Sequence, residues 1–250
     1  MKKLFVILLS VFIVLSACKN NGDSDNDNQN DSSVVNNNNN VNNNSDDNDN
    51  NNNYSNNTEF DFEMLTFDKS ILNKLNNIKG DFQYGFKWKD KMGYNVLVFT
   101  TQNKFVKWKD AEYDYMGDNY RYLKAYHFAG TEHNYSLVRM IQDGAEPCGS
   151  PPFALENEFY KNSISITDLN NNGFAEITFM YFMLCASELT PVPTKLMLLE
   201  NGEKYAIRGN SYIPEYKMGG DKKLDLAGAD RVLKEYASET WDKFCTPKPN

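Results

Sequence analysis

Asp168, Asn170, Asn172 and Glu176 stand at positions 1, 3, 5 and 9 of a D-x-N-x-N-G-x-x-E run. Side-chain oxygens at alternating positions of a tight loop turn toward one centre, and Ca²⁺ accepts six to eight oxygen ligands without strict angles. Gly173 supplies the positive φ that such a loop needs. An EF-hand would place Glu at position 12, where this chain has Phe179, and a helix on either side, where it has β-rich sequence. The expected chemistry is therefore a structural Ca²⁺ held by a short loop between two strands. Asn172-Gly173 is equally a signal for a two-residue hairpin turn, and Asn side chains cap turns without any metal. Both readings stand at this level.

Signs of catalysis are absent as motifs. The chain has no H-E-x-x-H, no G-x-S-x-G, no Walker loop and no Rossmann glycine pattern. Its two histidines are His127, on an alternating run, and His133, in the turn after it; solvent-facing positions are the expectation for both. Paired carboxylates of the glycosidase kind leave no local motif, so Glu112, Asp114, Asp118, Glu146 and Glu158 are candidates only in that sense. Tyr113, Tyr115, Tyr120 and Tyr122 cluster beside Asp114 and Asp118. Rings with neighbouring acids suit sugar C–H faces and hydroxyls, and they serve equally as protein-interface anchors or as cross-strand pairs.

The start of the chain gives an address. Lys2 and Lys3 precede an apolar run from Leu4 to Leu15, followed by Leu15-Ser16-Ala17-Cys18, which reads as a signal peptide (1–17) ending in a lipobox. The run is too short to span a bilayer comfortably. Cys18 is the expected lipidation site, and two or three acyl chains at about 0.8 kcal/mol per buried methylene would hold the protein stably to a membrane. The segment to Asn57 is dominated by Asn and Asp and cannot bury enough surface to offset its chain entropy, so residues 18–57 read as a disordered tether. It carries seven Asp and one Lys, and the leader two Lys, so of the chain's net charge of −8 only −4 belongs to the remainder. A mildly acidic body gives no support for nucleic-acid binding.

From Thr58 onward the chain is long enough for one β-rich domain (58–250). Asp68 or Ser70 caps a short helix over Phe67 to Gly80, with Ile71, Leu72, Leu75 and Ile78 on one face. The period then changes to two. Phe82–Lys89 and Tyr94–Thr101 pair across Asp90–Gly93, with Trp88 and Phe99 as core anchors; Phe105–Asn119 is a loop with or without a short strand; Tyr120–Phe128 and Asn134–Gln142 form a second hairpin. Phe153–Lys161 is one helical turn or a further strand. Ser163–Thr167 and Ala175–Leu184 flank the Asn loop, the second arm too apolar to have a wet face. Thr194–Glu200 pairs with Lys204–Arg208 across Asn201-Gly202, and Asp230 caps a helix whose stripe is Val232, Leu233, Tyr236, Thr240, Trp241 and Phe244. The fold class is α+β, mainly β: an antiparallel sheet of hairpins with a C-terminal helix packed on it and a short N-terminal helix at its edge. Disulfides persist in an exported protein. Cys148 and Cys185 flank the central hairpin in loop-like contexts and are the expected pair, with Cys245 as the odd thiol.

Several phrases resemble one family when taken together: Trp88-Lys-Asp90-Lys-Met-Gly93-Tyr-Asn95, Ala125-Tyr126-His127-Phe128, Ser165-Ile166-Thr167-Asp168, Glu176-Ile177-Thr178-Phe179-Met180-Tyr181 and Lys204-Tyr205-Ala206-Ile207-Arg208-Gly209. They resemble an exported bacterial family labelled "surface polysaccharide biosynthesis protein", over Lys79 to Asn210. The resemblance implies a link to cell-surface glycan and supplies no catalytic residues. The Asp/Asn loop is similar to the calcium loops of integrin-like propeller repeats, although a single copy does not make a propeller. The expectation is a membrane-anchored bacterial envelope lipoprotein, at the outer membrane or cell surface, with a non-catalytic binding or assembly role toward polysaccharide or another envelope protein. Two alternatives stay open, a glycan-processing enzyme with scattered carboxylates and a surface antigen that binds a host or partner protein.

Overall fold

The computed structural model describes residues 62–149 and 154–245. The leader, Cys18 and the tether lie outside the described residues. In chain order the strands are β1 (Glu63–Leu65), β2 (Asp81–Asp90), β3 (Gly93–Lys107), β4 (Gly117–Gly130), β5 (Tyr135–Asp143), β6 (Cys148–Gly149), β7 (Ala154–Phe159), β8 (Ser165–Thr167), β9 (Glu176–Ala186), β10 (Pro193–Glu200), β11 (Glu203–Asn210), β12 (Tyr212–Ile213), β13 (Met218–Gly219) and β14 (Lys222–Asp225). One helix, α1 (Arg231–Cys245), follows. Mainly antiparallel β with a C-terminal helix is thus the observed class.

The hairpins divide into two sheets. The first has the order β1-β2-β3-β4-β5, with β6 pairing the far end of β4; the second has the order β14-β11-β10-β9-β7, with β8 on β9. Among the described residues β12 and β13 pair only with each other. Every pairing is antiparallel, as hairpin connections require.

The sheets bury one face of each against the other. Trp88, Leu97, Phe99, Leu123 and Ala125 of the first meet Ile177, Phe179, Tyr181, Met197, Leu199 and Ala206 of the second. At the centre, the ring of Phe99 lies edge-on to those of Phe159 and Phe179, with centroids 4.8 and 5.1 Å apart. Such pairs contribute about 0.5–1.5 kcal/mol beyond their burial.

The outer faces are also covered. Met180, Leu196, Leu198 and Ile207 take the stripe of α1 formed by Leu233, Ala237, Trp241 and Cys245. Val96, Val98, Tyr126 and Phe128 take Ile71 and Leu75. This double covering explains why β9 and the first half of β3 read as continuous apolar runs.

The N-terminal helical segment differs from its expectation. It is a six-residue 3-10 helix, Lys69–Lys74, capped by the Asp68 carboxylate on the Ser70 N–H, and it lies over the face of the first sheet instead of its edge. Asn73, Asn76 and Asn77 are poor helix formers, and Asn77 turns to a φ of 64°. Residues 105–119 also differ, because β3 runs on to Lys107 and β4 begins at Gly117, so the two strands project as an arm. Residues 154–159 form a strand, not a helical turn.

Candidate functional site

The Asn loop spans residues 168–175 between β8 and β9. It is not a two-residue hairpin turn: positive φ falls on Asn171 (54°) and Gly173 (82°), with Asn172 outside that region. The Asn201-Gly202 turn does have that form, with φ of 45° and 80°. A Cβ on Gly173 would meet Lys91 Cε at 2.7 Å, a contact the flexible lysine can yield, so it is the positive φ that requires glycine there.

Each of the four candidate ligands has a defined place. Asp168 accepts the N–H groups of Asn172 and Gly173, both at 3.0 Å. Asn172 Oδ1 accepts the Phe174 N–H at 2.8 Å. The amide nitrogens of Asn170 and Asn172 both donate to Glu200 Oε1, each at 2.7 Å, and that of Asn170 also reaches Asp230 Oδ2 at 2.9 Å. Glu176 Oε2 accepts from the Leu169 N–H (2.9 Å) and the Thr167 hydroxyl (3.1 Å).

Glu176 is fully buried, and its Oε1 has no hydrogen-bond partner among the described residues. Burial pushes its carboxyl up from the usual range, only partly offset by the donors from Leu169 and Thr167, and the charge of Glu200 adds to the rise. Thr178, two residues along the same face of β9, has a buried hydroxyl likewise without a partner. Among the described residues no three His, Cys, Asp or Glu side chains stand ready to hold a metal, so a cation here would draw on the Asn amides as well. An orphaned buried carboxylate oxygen beneath an oxygen-rich loop fits a hard cation, and the donor set contains no nitrogen or sulfur ligand that would favour Zn²⁺.

The loop is fastened to the first sheet. Asp90, at the turn between β2 and β3, accepts the Ala175 N–H on Oδ2 at 3.0 Å, and the Lys91 N–H donates to the Gly173 carbonyl at 2.8 Å. The Lys91 ammonium also reaches the Asn172 carbonyl.

Behind this contact lies a buried polar chain that the sequence reading did not place. Trp88 Nε1 donates to Asp90 at 3.0 Å, Asn95 Nδ2 donates to Asp90 at 2.8 Å, and Asn95 Oδ1 meets His127 Nε2 at 2.9 Å. With the Asn95 amide nitrogen spent on Asp90 and Gly93, its oxygen is the acceptor and His127 donates from Nε2. The expectation of a solvent-facing His127 is corrected. It lies on the inner face of β4, stacked on Trp88 with centroids 5.3 Å apart, and burial lowers its pKa to about 4. His133 is exposed.

The cysteines take up the expected pairing. Cys148 and Cys185 are joined, with Cα atoms 5.6 Å apart. Both lie on strands instead of loops, Cys148 on β6 in the first sheet and Cys185 on β9 in the second, so the bond ties sheet to sheet. Cys245 is buried at the end of α1, on its core-facing stripe.

The aromatic group falls on the β3–β4 arm. Phe105, Val106, Trp108, Tyr113 and Tyr115 are all exposed there, Tyr115 most of all at 63%. Tyr113 and Tyr115 stack with centroids 5.4 Å apart and planes 10° from parallel. Tyr120 and Tyr122 form a second stacked pair on one face of β4, with Lys104 and Lys124 over their rings. Lys107 pairs with Asp114 at 2.6 Å. Of the scattered carboxylates, Asp114 is on Lys107, and Glu158 lies 3.5 Å from Arg121.

Among the described residues no helix is long and apolar enough to cross a membrane. Comparison of the chain with protein-family models, curated proteins and solved structures finds no match.

Proposed function

We propose that this protein is an exported lipoprotein, held to a bacterial envelope membrane through Cys18, whose folded body binds cell-surface glycan without catalysis. The observation that carries the reading is the exposed aromatic arm. Large apolar and aromatic side chains are normally drawn into a core; here Phe105 and Val106 at the end of β3, and Trp108, Tyr113 and Tyr115 in the 108–116 connection to β4, stand in water beside a sandwich with ample core of its own. Flat tyrosine faces stack on the C–H face of a pyranose, and Asp114, Asp118 and Lys107 offer groups for its hydroxyls. A disulfide across the two sheets suits the oxidising side of a membrane.

We further read the 168–175 loop as a structural Ca²⁺ site with Asp168, Asn170, Asn172 and Glu176 as ligands. The orphaned Oε1 of Glu176 supports it. Bound there, the ion would neutralise a buried carboxylate and restrict the loop that meets Asp90, stabilising the fold by mass action.

The binding test uses the mature chain against a panel of purified envelope polysaccharides in a calorimeter. Wild type is expected to bind at least one, and Tyr113→Ala with Tyr115→Ala to weaken that binding at least tenfold while leaving the melting temperature unchanged. Equal binding by the double variant, or no binding by wild type to any polysaccharide, overturns the reading. Release of shorter sugars during the titration would favour the glycan-processing alternative.

A further inference from the structure

The end of the second sheet carries an arrangement that strand pairing alone opposes. Glu176 on β9 is directly opposite Glu200 on β10, and Glu200 is directly opposite Glu203 on β11. Residues in register share a face, so three glutamates stand in a row across neighbouring strands, and like charges so placed are destabilising. Glu203 reaches water, Glu200 is half-buried, and Glu176 is fully buried.

The loop above adds Asp168, and the start of α1 adds Asp230, whose carboxylate shares the Asn170 amide nitrogen with Glu200. The Lys91 ammonium is spent on the Asn172 carbonyl, and among the described residues Glu176, Glu200, Glu203 and Asp230 form no ion pair. The row therefore holds more negative charge than the residues around it balance.

Two independent features point to what balances it. Glu176 Oε1 is buried without a partner. Meanwhile the Asn170 and Asn172 side chains converge from the loop on a single oxygen of Glu200, at equal distances of 2.7 Å. Each amide oxygen accepts a backbone N–H, that of Asn170 from Asn172 at 3.1 Å and that of Asn172 from Phe174 at 2.8 Å, so turning an amide to offer its oxygen to an ion gives up that bond. The same convergence would then present two amide oxygens beside the two carboxylates.

We propose that Glu200 is a direct ligand of the loop cation, so that the ion is held between the 168–175 loop and β10 and is not enclosed by the loop alone. This inference rests on the calcium reading given above and adds to it a residue outside the D-x-N-x-N-G-x-x-E run. Glu176 Oε1 and a Glu200 oxygen close the site from the sheet side, and Asp168, Asn170 and Asn172 close it from the loop side, Asp168 also holding the loop's backbone in shape. Ca²⁺ is the fitting ion, since every donor is oxygen and the donors come from flexible amides and carboxylates of irregular spacing; Mg²⁺ demands a near-ideal octahedron. Occupancy would join three parts of the fold, the β8–β9 loop, the β10–β11 hairpin and, through Asn170 and Asp230, the start of α1.

The test is a titration of the mature chain with Tb³⁺, followed by displacement with Ca²⁺. Tyr205 is the sensitiser, since Glu200 and Asp230 both act on its hydroxyl. Three isosteric variants are compared, with melting temperature in chelator as the check on folding. Glu176→Gln is expected to abolish the signal, Glu200→Gln to weaken Ca²⁺ at least tenfold, and Glu203→Gln, equal in charge and in the same row, to stay within twofold of wild type. If wild type gives no Ca²⁺-displaceable signal, the calcium reading falls and this inference with it. If wild type binds and Glu176→Gln does not, while Glu200→Gln binds as wild type, the calcium reading stands and the inference is overturned. Equal losses in Glu200→Gln and Glu203→Gln also overturn it, because a diffuse negative field would then suffice.

Discussion

Asp90 accepts the backbone N–H of Ala175 at 3.0 Å, across 85 residues of chain and from one sheet to the other. The same carboxylate takes Trp88 Nε1, the Met92 N–H and Asn95 Nδ2, so four donors converge on one buried side chain. A carboxylate so placed is fixed in position, and it fixes in turn the residue that ends the candidate ion loop.

Asp90→Ala is therefore expected to cost roughly 3–5 kcal/mol, because it leaves buried donors without an acceptor. Urea denaturation would show it as a lowered midpoint with an unchanged slope. A loss below about 1 kcal/mol would mean that the donors find water, and the fastening of loop to sheet would be a minor one.

His127 sets a pH dependence. In the fold it stays neutral until the pH nears about 4, whereas in the unfolded chain it takes a proton near its ordinary value of 6.5. Between those values the unfolded state binds more protons, so stability is full above the upper value and falls as pH drops toward the lower. The loss is on the order of 3 kcal/mol. His127→Gln should flatten the slope of stability against pH across this window, read from melts at a series of pH values.

Reduction of Cys148–Cys185 removes a link over 37 residues. In the chain-entropy account this corresponds to about 4 kcal/mol. Denaturation with and without reductant measures it, and alkylation of both cysteines without reductant would contradict the bond.

Cys18→Ala is expected to abolish acyl labelling and to leave the chain unprocessed or in the soluble fraction. Unchanged labelling in this variant would refute the anchor.

How much of this was legible in the sequence depended on whether burial imposed a period. α1 could be read because one stripe meets the core, β10 because burial on both faces makes it a short apolar run, and β11 because the Asn201-Gly202 turn that joins it to β10 is local chemistry. The β3–β4 arm could not be read, because residues exposed on both faces follow no alternation. β14 escaped for the same reason, being a wholly exposed edge strand of sequence KKLD. Division of the hairpins into two sheets is a matter of long-range pairing, which hairpin signals do not carry. In the candidate ion site Asp168, Asn170, Asn172 and Glu176 were visible from spacing, while Glu200 was not. Its place opposite Glu176 arises only from the register of β9 and β10.

The most direct measurement of the central claim uses the chain's three tryptophans. Trp88 and Trp241 are buried to within 1% and Trp108 is 42% exposed, so iodide quenching reports on the arm alone. Adding the polysaccharide bound in the calorimeter should shield Trp108 and lower the quenching constant severalfold, with the shielding lost in the Tyr113→Ala, Tyr115→Ala chain. Saturating polysaccharide that leaves the quenching of Trp108 unchanged would contradict the assignment of the arm as the glycan-binding surface.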